Sequence, residues 1–103
     1  MSNDALQRLA ATIRARRAAS VGESYTKRLL AEAIKPAKKV GEEGVEVAIA
    51  AIAQDKTALI GETADLLYHL LVVLESRDVT LDEVFDELER RMVAPDQEKA
   101  ASA

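Results

Sequence analysis

The residues best suited to chemistry are two pairs of carboxylates, Glu43 with Glu46 and Glu62 with Asp65, and the members of each pair are three residues apart. Residues three or four apart share one face of an α-helix, so each pair would present both carboxylates on the same side. The residues that continue these faces are mostly apolar: Ile49, Ala50 and Ala53 after the first pair, and Leu66, His69 and Val73 after the second.

Both acidic pairs are therefore expected on helix faces that turn towards an apolar core. Carboxylates are seldom buried unpaired, and several of them together repel one another. A hard divalent cation with oxygen ligands would neutralise the cluster. Magnesium usually takes only a few carboxylates and completes its octahedron with water and phosphate oxygens. We therefore predict a magnesium site, which manganese can also occupy.

The alternative is that these acids belong to a solvated helix surface. Glu42 and Glu43 would then pair with Lys38 and Lys39, which lie four residues earlier. A lysine that precedes its glutamate is the weaker orientation of such a pair, and the helix dipole disfavours lysines in a first turn. Surface pairing also leaves the second acidic pair unexplained, so the metal site is the favoured interpretation.

Three glycines adjoin the acidic residues: Gly41, Gly44 and Gly61. Each destabilises a helix interior by up to about 1 kcal/mol relative to alanine. They either let two helices cross closely or clear space for a ligand, and the sequence does not choose between these roles.

The composition indicates packed helices in a cytoplasmic protein. The 103 residues include two Tyr, one Phe, no Trp and no Cys, so the core must consist of Leu, Ile, Val and Ala. The absence of Cys excludes disulfides, thiolate metal sites and a Cys nucleophile. A formal net charge of -4 argues against binding to duplex nucleic acid or an anionic membrane. We find no stretch typical of a signal peptide or membrane span.

Helical spacing of apolar residues, together with the placement of proline and glycine, predicts an all-α domain of five helices. Pro36 suits the first turn of the third helix, and Thr80 with Glu83 forms a capping box for the fifth. We place the domain at residues 1–94 and a disordered, polar, Ala-rich tail at residues 95–103. The first four helices are predicted at residues 4–20, 24–35, 36–53 and 57–76, and the fifth begins after Thr80.

The fourth predicted helix is apolar around nearly its whole circumference, which is typical of a helix enclosed by others. Four short helices in one small chain cannot easily surround it. We therefore predict a homodimer, in which the third and fourth helices pack against their symmetry mates and complete a four-helix-bundle-like core. The residues that make the fourth predicted helix apolar on nearly all sides are Leu66, Leu67, Leu70, Leu71, Val72, Val73 and Leu74.

The acidic motifs resemble those of a known superfamily. The run Lys39-Val-Gly-Glu42-Glu43-Gly-Val-Glu46, followed by Glu62-Thr-Ala-Asp65, is similar to the paired-acid signature of the all-α nucleoside triphosphate pyrophosphohydrolases, the MazG-like superfamily. Three additions resemble the phosphoribosyl-ATP pyrophosphatase family within it: Ser24-Tyr25-Thr26, Lys38-Lys39, and Asp65-Leu-Leu-Tyr68-His69. The likeness extends over about residues 6–91.

The resemblance implies hydrolysis of 1-(5-phosphoribosyl)-ATP to 1-(5-phosphoribosyl)-AMP and pyrophosphate, the second step of histidine biosynthesis. It implies that Glu43, Glu46, Glu62 and Asp65 are metal ligands and catalytic residues. Glu42 would either join them or orient the attacking water. The residues expected to bind substrate are Lys38, Lys39, Lys27, Arg28, Tyr25 and Tyr68.

Several of these assignments have alternatives. Each of the four cationic residues is as well explained by solvated surface charge, and each tyrosine by a place in the core. His69 fits a hydrogen-bonded structural histidine better than a catalytic base. The rival functions are a house-cleaning pyrophosphohydrolase of ordinary or damaged nucleoside triphosphates, and a non-enzymatic helical dimerisation module.

Overall fold

A computed structural model describes residues 4–18 and 34–93, and all regular secondary structure in those ranges is helical. The predicted all-α class is therefore confirmed. The predicted second helix falls mostly outside the described residues, as does the predicted tail, so the five-helix count and the tail stay predictions. The four described helices are α1 (Ala5–Ala18), α2 (Ile34–Ala53), α3 (Lys56–Ser76) and α4 (Leu81–Val93).

Helix α2 includes residues that the sequence assigns to the preceding helix. Ile34 and Lys35, predicted at the end of the second helix, are helical and continue without a break into Pro36. The boundary predicted just before Pro36 is therefore wrong. The residues before Ile34 lie outside the described ranges, so the place of Pro36 in a first turn, where a proline loses no hydrogen bond, stays a prediction.

A short link joins α2 and α3 into an antiparallel pair. Asp55 caps α3 from an extended backbone conformation, with φ -89° and ψ 176°, and its side chain accepts a hydrogen bond from the Ala58 N–H at 2.9 Å. This is the usual role of an Asp N-cap. Only Gln54 and Asp55 separate the two helices, so they run in opposite directions, as in other helical hairpins.

The end of α3 and the start of α4 are set by local hydrogen bonds. Asp78 has a positive φ of 57°, which lets its N–H and that of Val79 bond back to the carbonyls of Glu75 and Leu74, at 3.1 and 2.9 Å. Glycine is usual at this position, but aspartate tolerates the left-handed conformation better than most residues.

The predicted capping box of α4 is confirmed. The Thr80 hydroxyl oxygen accepts from the Glu83 N–H at 3.1 Å, and the Glu83 carboxylate accepts from the Thr80 N–H at 2.8 Å. Two N–H groups at the start of the helix, which would otherwise lack partners, are thereby satisfied.

The core lies where α1 crosses α3 and meets the first residue of α4. Its buried members are Ile13, Leu71, Val72 and Leu81. Leu6, Leu9 and Ala10 of α1 pack against this cluster together with Tyr68 and Leu74.

A partly buried ion-pair group joins α1 to the end of α3. The buried Glu75 side chain accepts from Arg17 at 2.9 Å and from Arg14 at 3.3 Å. Arg17 also donates to Asp78 at 2.7 Å. The group fastens the C-terminal end of α1 across the last turn of α3.

The described helices cover only one side of the α2–α3 pair. Ala50 is buried as predicted, whereas Ile49 is 48% exposed and Ala53 is exposed, so the described residues do not supply the core that these two were expected to face. The reason is that α1 packs on α3 and leaves this part of α2 uncovered. Leu67 and Leu70 of α3 are also partly exposed.

By length and composition alone, α3 is apolar enough to cross a membrane, and little of it is buried by the other described helices. A single helix of this kind is a weak indication, because a helix at the centre of an assembled core has the same properties.

Candidate active site

The antiparallel arrangement of α2 and α3 brings together the two acidic pairs. Glu46 of α2 lies close enough to Glu62 of α3 that their interaction raises the pKa of Glu62. One turn away, Glu43 of α2 contacts His69 of α3. The two acidic pairs, one on each helix, therefore face a common space.

Glu62 is the most perturbed carboxyl in this space. Its pKa is raised above the ordinary value of 4.5, first by the hydrogen-bonding contact with Glu46, then by desolvation, and then by the negative charges of Glu46, Asp65 and Glu43. The four carboxylates, hereafter the acid cluster, thus form one electrostatic unit. An anionic group that loses water and gains anionic neighbours is held more easily in its protonated form.

One oxygen of the acid cluster has no partner among the described residues. Glu62 Oε1 is buried and makes no hydrogen bond. Buried polar atoms nearly always have a partner, so an exception calls for an explanation such as an ion. An unpartnered carboxylate oxygen beside three further carboxylates is a donor set that fits a hard cation such as Mg²⁺.

The acid cluster is not a closed cage as it stands. Within residues 4–18 and 34–93, no three acidic or histidine side chains are grouped so that they would hold one ion. Mutual repulsion among four carboxylates favours this open spacing. The residue types fit a cation, and the oxygens would have to move closer to share it.

Glu42 is placed differently from the acid cluster. Its side chain is exposed, and the Lys39 ammonium lies 4.0 Å away, a weak surface contact. Glu42 therefore lies at the surface, whereas Glu43 is buried. Lys38 is exposed on the same helix.

His69 is buried and hydrogen-bonded. Its Nδ1 lies 3.1 Å from Glu43 Oε1 and 3.1 Å from the backbone oxygen of Asp65. The neighbouring Tyr68 ring meets the imidazole edge to face, with ring centres 4.9 Å apart, and packs against the core. The sequence indicated a hydrogen-bonded histidine but did not identify Glu43 as its partner. The available signal was that His69 lies one turn after Asp65 on the acidic face.

The remaining predicted residues divide into two groups. Tyr25, Lys27 and Arg28 lie outside the described residues, so their assignment to substrate stays a prediction. At Gly41, Gly44 and Gly61, an added Cβ would meet no described atom within 4 Å. Close helix crossing within the described chain therefore does not explain the glycines, because no described residue fills the space above them.

The chain is similar to a defined family over nearly all of its length. The sequence model described as phosphoribosyl-ATP pyrophosphohydrolase matches residues 6–92. The chain belongs to the phosphoribosyl-ATP pyrophosphohydrolase family. The expected resemblance is thereby confirmed, and family membership makes the chain an enzyme rather than a dimerisation module.

Curated relatives agree with this family. A protein of Methylobacterium nodulans named phosphoribosyl-ATP pyrophosphatase is 59% identical over 80 residues, which are 77% of this chain and 75% of that protein. Proteins with the same name from Caulobacter vibrioides and Agrobacterium fabrum are 52% and 54% identical over 88 and 92 residues. These alignments cover 85% and 88% of this chain, and 82% and 86% of the relatives.

Proposed function

We propose that this chain is a cytoplasmic, magnesium-dependent hydrolase that converts 1-(5-phosphoribosyl)-ATP to 1-(5-phosphoribosyl)-AMP and pyrophosphate, the second step of histidine biosynthesis. The observation that carries the proposal is the acid cluster, with its buried Glu62 oxygen that has no partner in residues 4–18 and 34–93. The substrate is taken from the relatives, which are named phosphoribosyl-ATP pyrophosphatase.

The acid cluster supplies the ligands for magnesium, namely Glu43, Glu46, Glu62 and Asp65. When bound, magnesium offsets the negative charge that develops on phosphate oxygens and can be shared with the substrate. Cleavage of a phosphoanhydride needs little covalent help from the protein, so the remaining task is to position one water molecule. Glu42, which follows Gly41 on the exposed side of α2, either joins the ligands or orients that water.

Cationic side chains handle the phosphates that the metal does not hold. Lys38 and Lys39 lie one turn before the acid cluster on α2, and within the described part of the chain Lys39 makes a weak contact with Glu42 at 4.0 Å. Its ammonium is therefore available to a phosphate at little energetic cost. Lys27 and Arg28 bind the additional phosphate on the ribose, and Tyr25 and Tyr68 contact the substrate.

The enzyme acts as a homodimer in which α2 and α3 pack against their symmetry mates. On α2, Val45, Ile49 and Ile52 form an exposed apolar stripe, and on α3 Ile60 and Leu67 form another. Apolar surface on two neighbouring helices favours association, since burying it stabilises by about 25 cal/mol per Å².

The dimer is tested by sedimentation of the wild type and of Ile49→Glu at micromolar concentration. Ala51→Glu is the matched control, because Ala51 is exposed on the same helix but lies off the apolar stripe. We expect a dimer for the wild type and the control, and a monomer for Ile49→Glu. A compact, well-folded wild-type monomer would contradict the prediction.

The substrate is tested by following pyrophosphate release from 1-(5-phosphoribosyl)-ATP and from a panel of nucleoside triphosphates, with Mg²⁺ present. We expect turnover of phosphoribosyl-ATP far above that of every triphosphate. Strong turnover of dUTP or dCTP with none of phosphoribosyl-ATP would instead establish the house-cleaning activity.

The metal site is tested with Glu46→Gln and Asp65→Asn, and Glu89→Gln on α4 serves as a charge-matched control. Thermal melting during a Mg²⁺ or Mn²⁺ titration should show stabilisation that grows with metal in the wild type and the control. Both cluster variants should lose that stabilisation and turnover, without losing metal-free stability, because repulsion around Glu62 is relieved. Normal hydrolysis by either variant would refute the site.

Turnover and metal-dependent thermal stabilisation also distinguish the two possible roles of Glu42. If Glu42→Gln loses both turnover and metal-dependent stabilisation, Glu42 is a ligand. Loss of turnover with normal metal-dependent stabilisation assigns it to the attacking water.

A further inference from the structure

The contact between His69 and Glu43 links the two helices that carry the acid cluster. Both residues are 7% exposed, so the contact is largely shielded from water. His69 Nδ1 lies 3.1 Å from Glu43 Oε1 and from the Asp65 carbonyl oxygen. A backbone carbonyl and a carboxylate both accept hydrogen bonds, so Nδ1 must carry the proton and donate to them.

The histidine ring is held in place by its own helix. The Asp65 carbonyl one turn earlier accepts from Nδ1, and the Tyr68 ring lies against the imidazole at an interplanar angle of 80°. Tyr68 is itself packed against the core of α1 and α3. The donor on α3 is therefore fixed, whereas its acceptor belongs to the other helix.

The consequence for Glu43 is that one of its two oxygens is fixed by a donor from α3. The side chain has several rotamers, and a hydrogen bond at Oε1 restricts it to those that keep this contact. Oε2 is then presented from a defined position.

We infer that His69 is a positioning residue: its Nδ1–H holds Glu43 in the orientation that lets Glu43 bind a divalent cation. The inference rests on the proposed function, because it assumes that the acid cluster binds metal. Groups that hydrogen-bond to a metal ligand commonly change metal affinity by about 10- to 100-fold when they are removed.

The inference is tested by measuring Mn²⁺ binding to the full chain without nucleotide, by calorimetry or by the electron paramagnetic resonance signal of free Mn²⁺. His69→Asn places an amide N–H close to the position of Nδ1 and should bind Mn²⁺ within about threefold of the wild type. His69→Leu removes the donor and should weaken binding about 10- to 100-fold. His69→Gln carries its amide N–H near the Nε2 position instead, so it should weaken Mn²⁺ binding as much as His69→Leu does. This variant replaces His69→Leu in the test if the leucine variant does not fold.

A double-mutant comparison separates positioning from general destabilisation. In a Glu43→Gln background, His69→Gln should weaken Mn²⁺ binding no further, because the residue through which His69 acts is already altered. A purely structural histidine would affect both backgrounds equally, and that result would overturn the inference.

The outcomes also distinguish this inference from the proposed function. If the wild type binds Mn²⁺ and His69→Gln binds it equally well, His69 has no positioning role while the metal site stands. If the wild type shows no defined Mn²⁺ binding, the proposed metal site fails, and the role of His69 fails with it.

Discussion

Replacing Gly44 with alanine should stabilise the protein. Gly44 lies in the interior of the 20-residue helix α2, and an added Cβ would meet no described atom within 4 Å. The full difference in helix propensity should therefore appear, about 1 kcal/mol. For a domain of this size that raises the melting temperature by roughly 4–5 °C. Thermal melting at one fixed protein concentration measures it.

Gly61 provides the functional counterpart of this substitution. It lies in the interior of α3, its added Cβ also meets no described atom within 4 Å, and Asp65 is four residues later on the same face. Gly44 is two residues from Glu46 and so lies on nearly the opposite side of its helix. Both Gly61→Ala and Gly44→Ala should raise the melting temperature. If the space above Gly61 receives substrate, Gly61→Ala should also lower kcat/KM, whereas Gly44→Ala should leave kcat/KM unchanged.

Two results would refute this reasoning. A lower melting temperature for Gly44→Ala would mean that the added methyl group meets an obstacle. Unchanged kcat/KM for Gly61→Ala, together with its greater stability, would mean that Gly61 clears no space for a ligand.

Three further predictions concern the forces that hold the fold. Without divalent ions, the wild type should lose stability as pH rises from 4.5, because the raised pKa of Glu62 lets the folded chain keep a proton that the unfolded chain has already released. Urea unfolding between pH 4.5 and 7.5 should show a smaller loss for Glu62→Gln. An equal pH dependence of the two proteins would contradict this prediction. Glu75→Gln should lower the free energy of unfolding by about 1–2 kcal/mol, because it weakens the ion pair between the buried Glu75 and the partly exposed Arg17. Urea unfolding measures this change, and an unchanged midpoint would count against the ion pair. Thr80→Ala should lower stability by about 1 kcal/mol by removing the acceptor for the Glu83 N–H, whereas Thr80→Ser should not; equal melting of both variants would disprove the cap.

The features that the sequence predicted correctly are those set by local interactions. Thr80 and Glu83 are three residues apart, so their capping box depends on one turn of helix and on nothing distant. The grouping of the acidic pairs follows in the same way from the helical repeat and from the short link at Asp55, which makes the two helices antiparallel.

The features that the sequence did not predict depend on which surfaces pack together. Helical spacing shows that Ala50 and Ala53 share a face, but it does not show how far along that face a neighbour extends. Ala50 is buried and Ala53 is exposed, because among the described helices α1 packs on α3 and none covers this end of α2. The bond between Glu43 and His69 was missed for a similar reason, since it depends on the register of two helices across 26 residues.

The position of the acid cluster connects its stability with its proposed chemistry. Glu46 and Glu62 approach each other across the α2–α3 contact, so their repulsion opposes the same helix packing that positions them. A cation bound there would remove the repulsion and stabilise the helix pair at the same time. Metal affinity and folding stability are therefore linked, because an ion that binds only the folded chain adds its binding free energy to the free energy of unfolding. Substitutions that remove charge from the acid cluster should for this reason make the metal-free chain more stable and the enzyme less active. Substitutions in the core of α1 and α3 should instead lower stability and leave metal affinity largely unchanged.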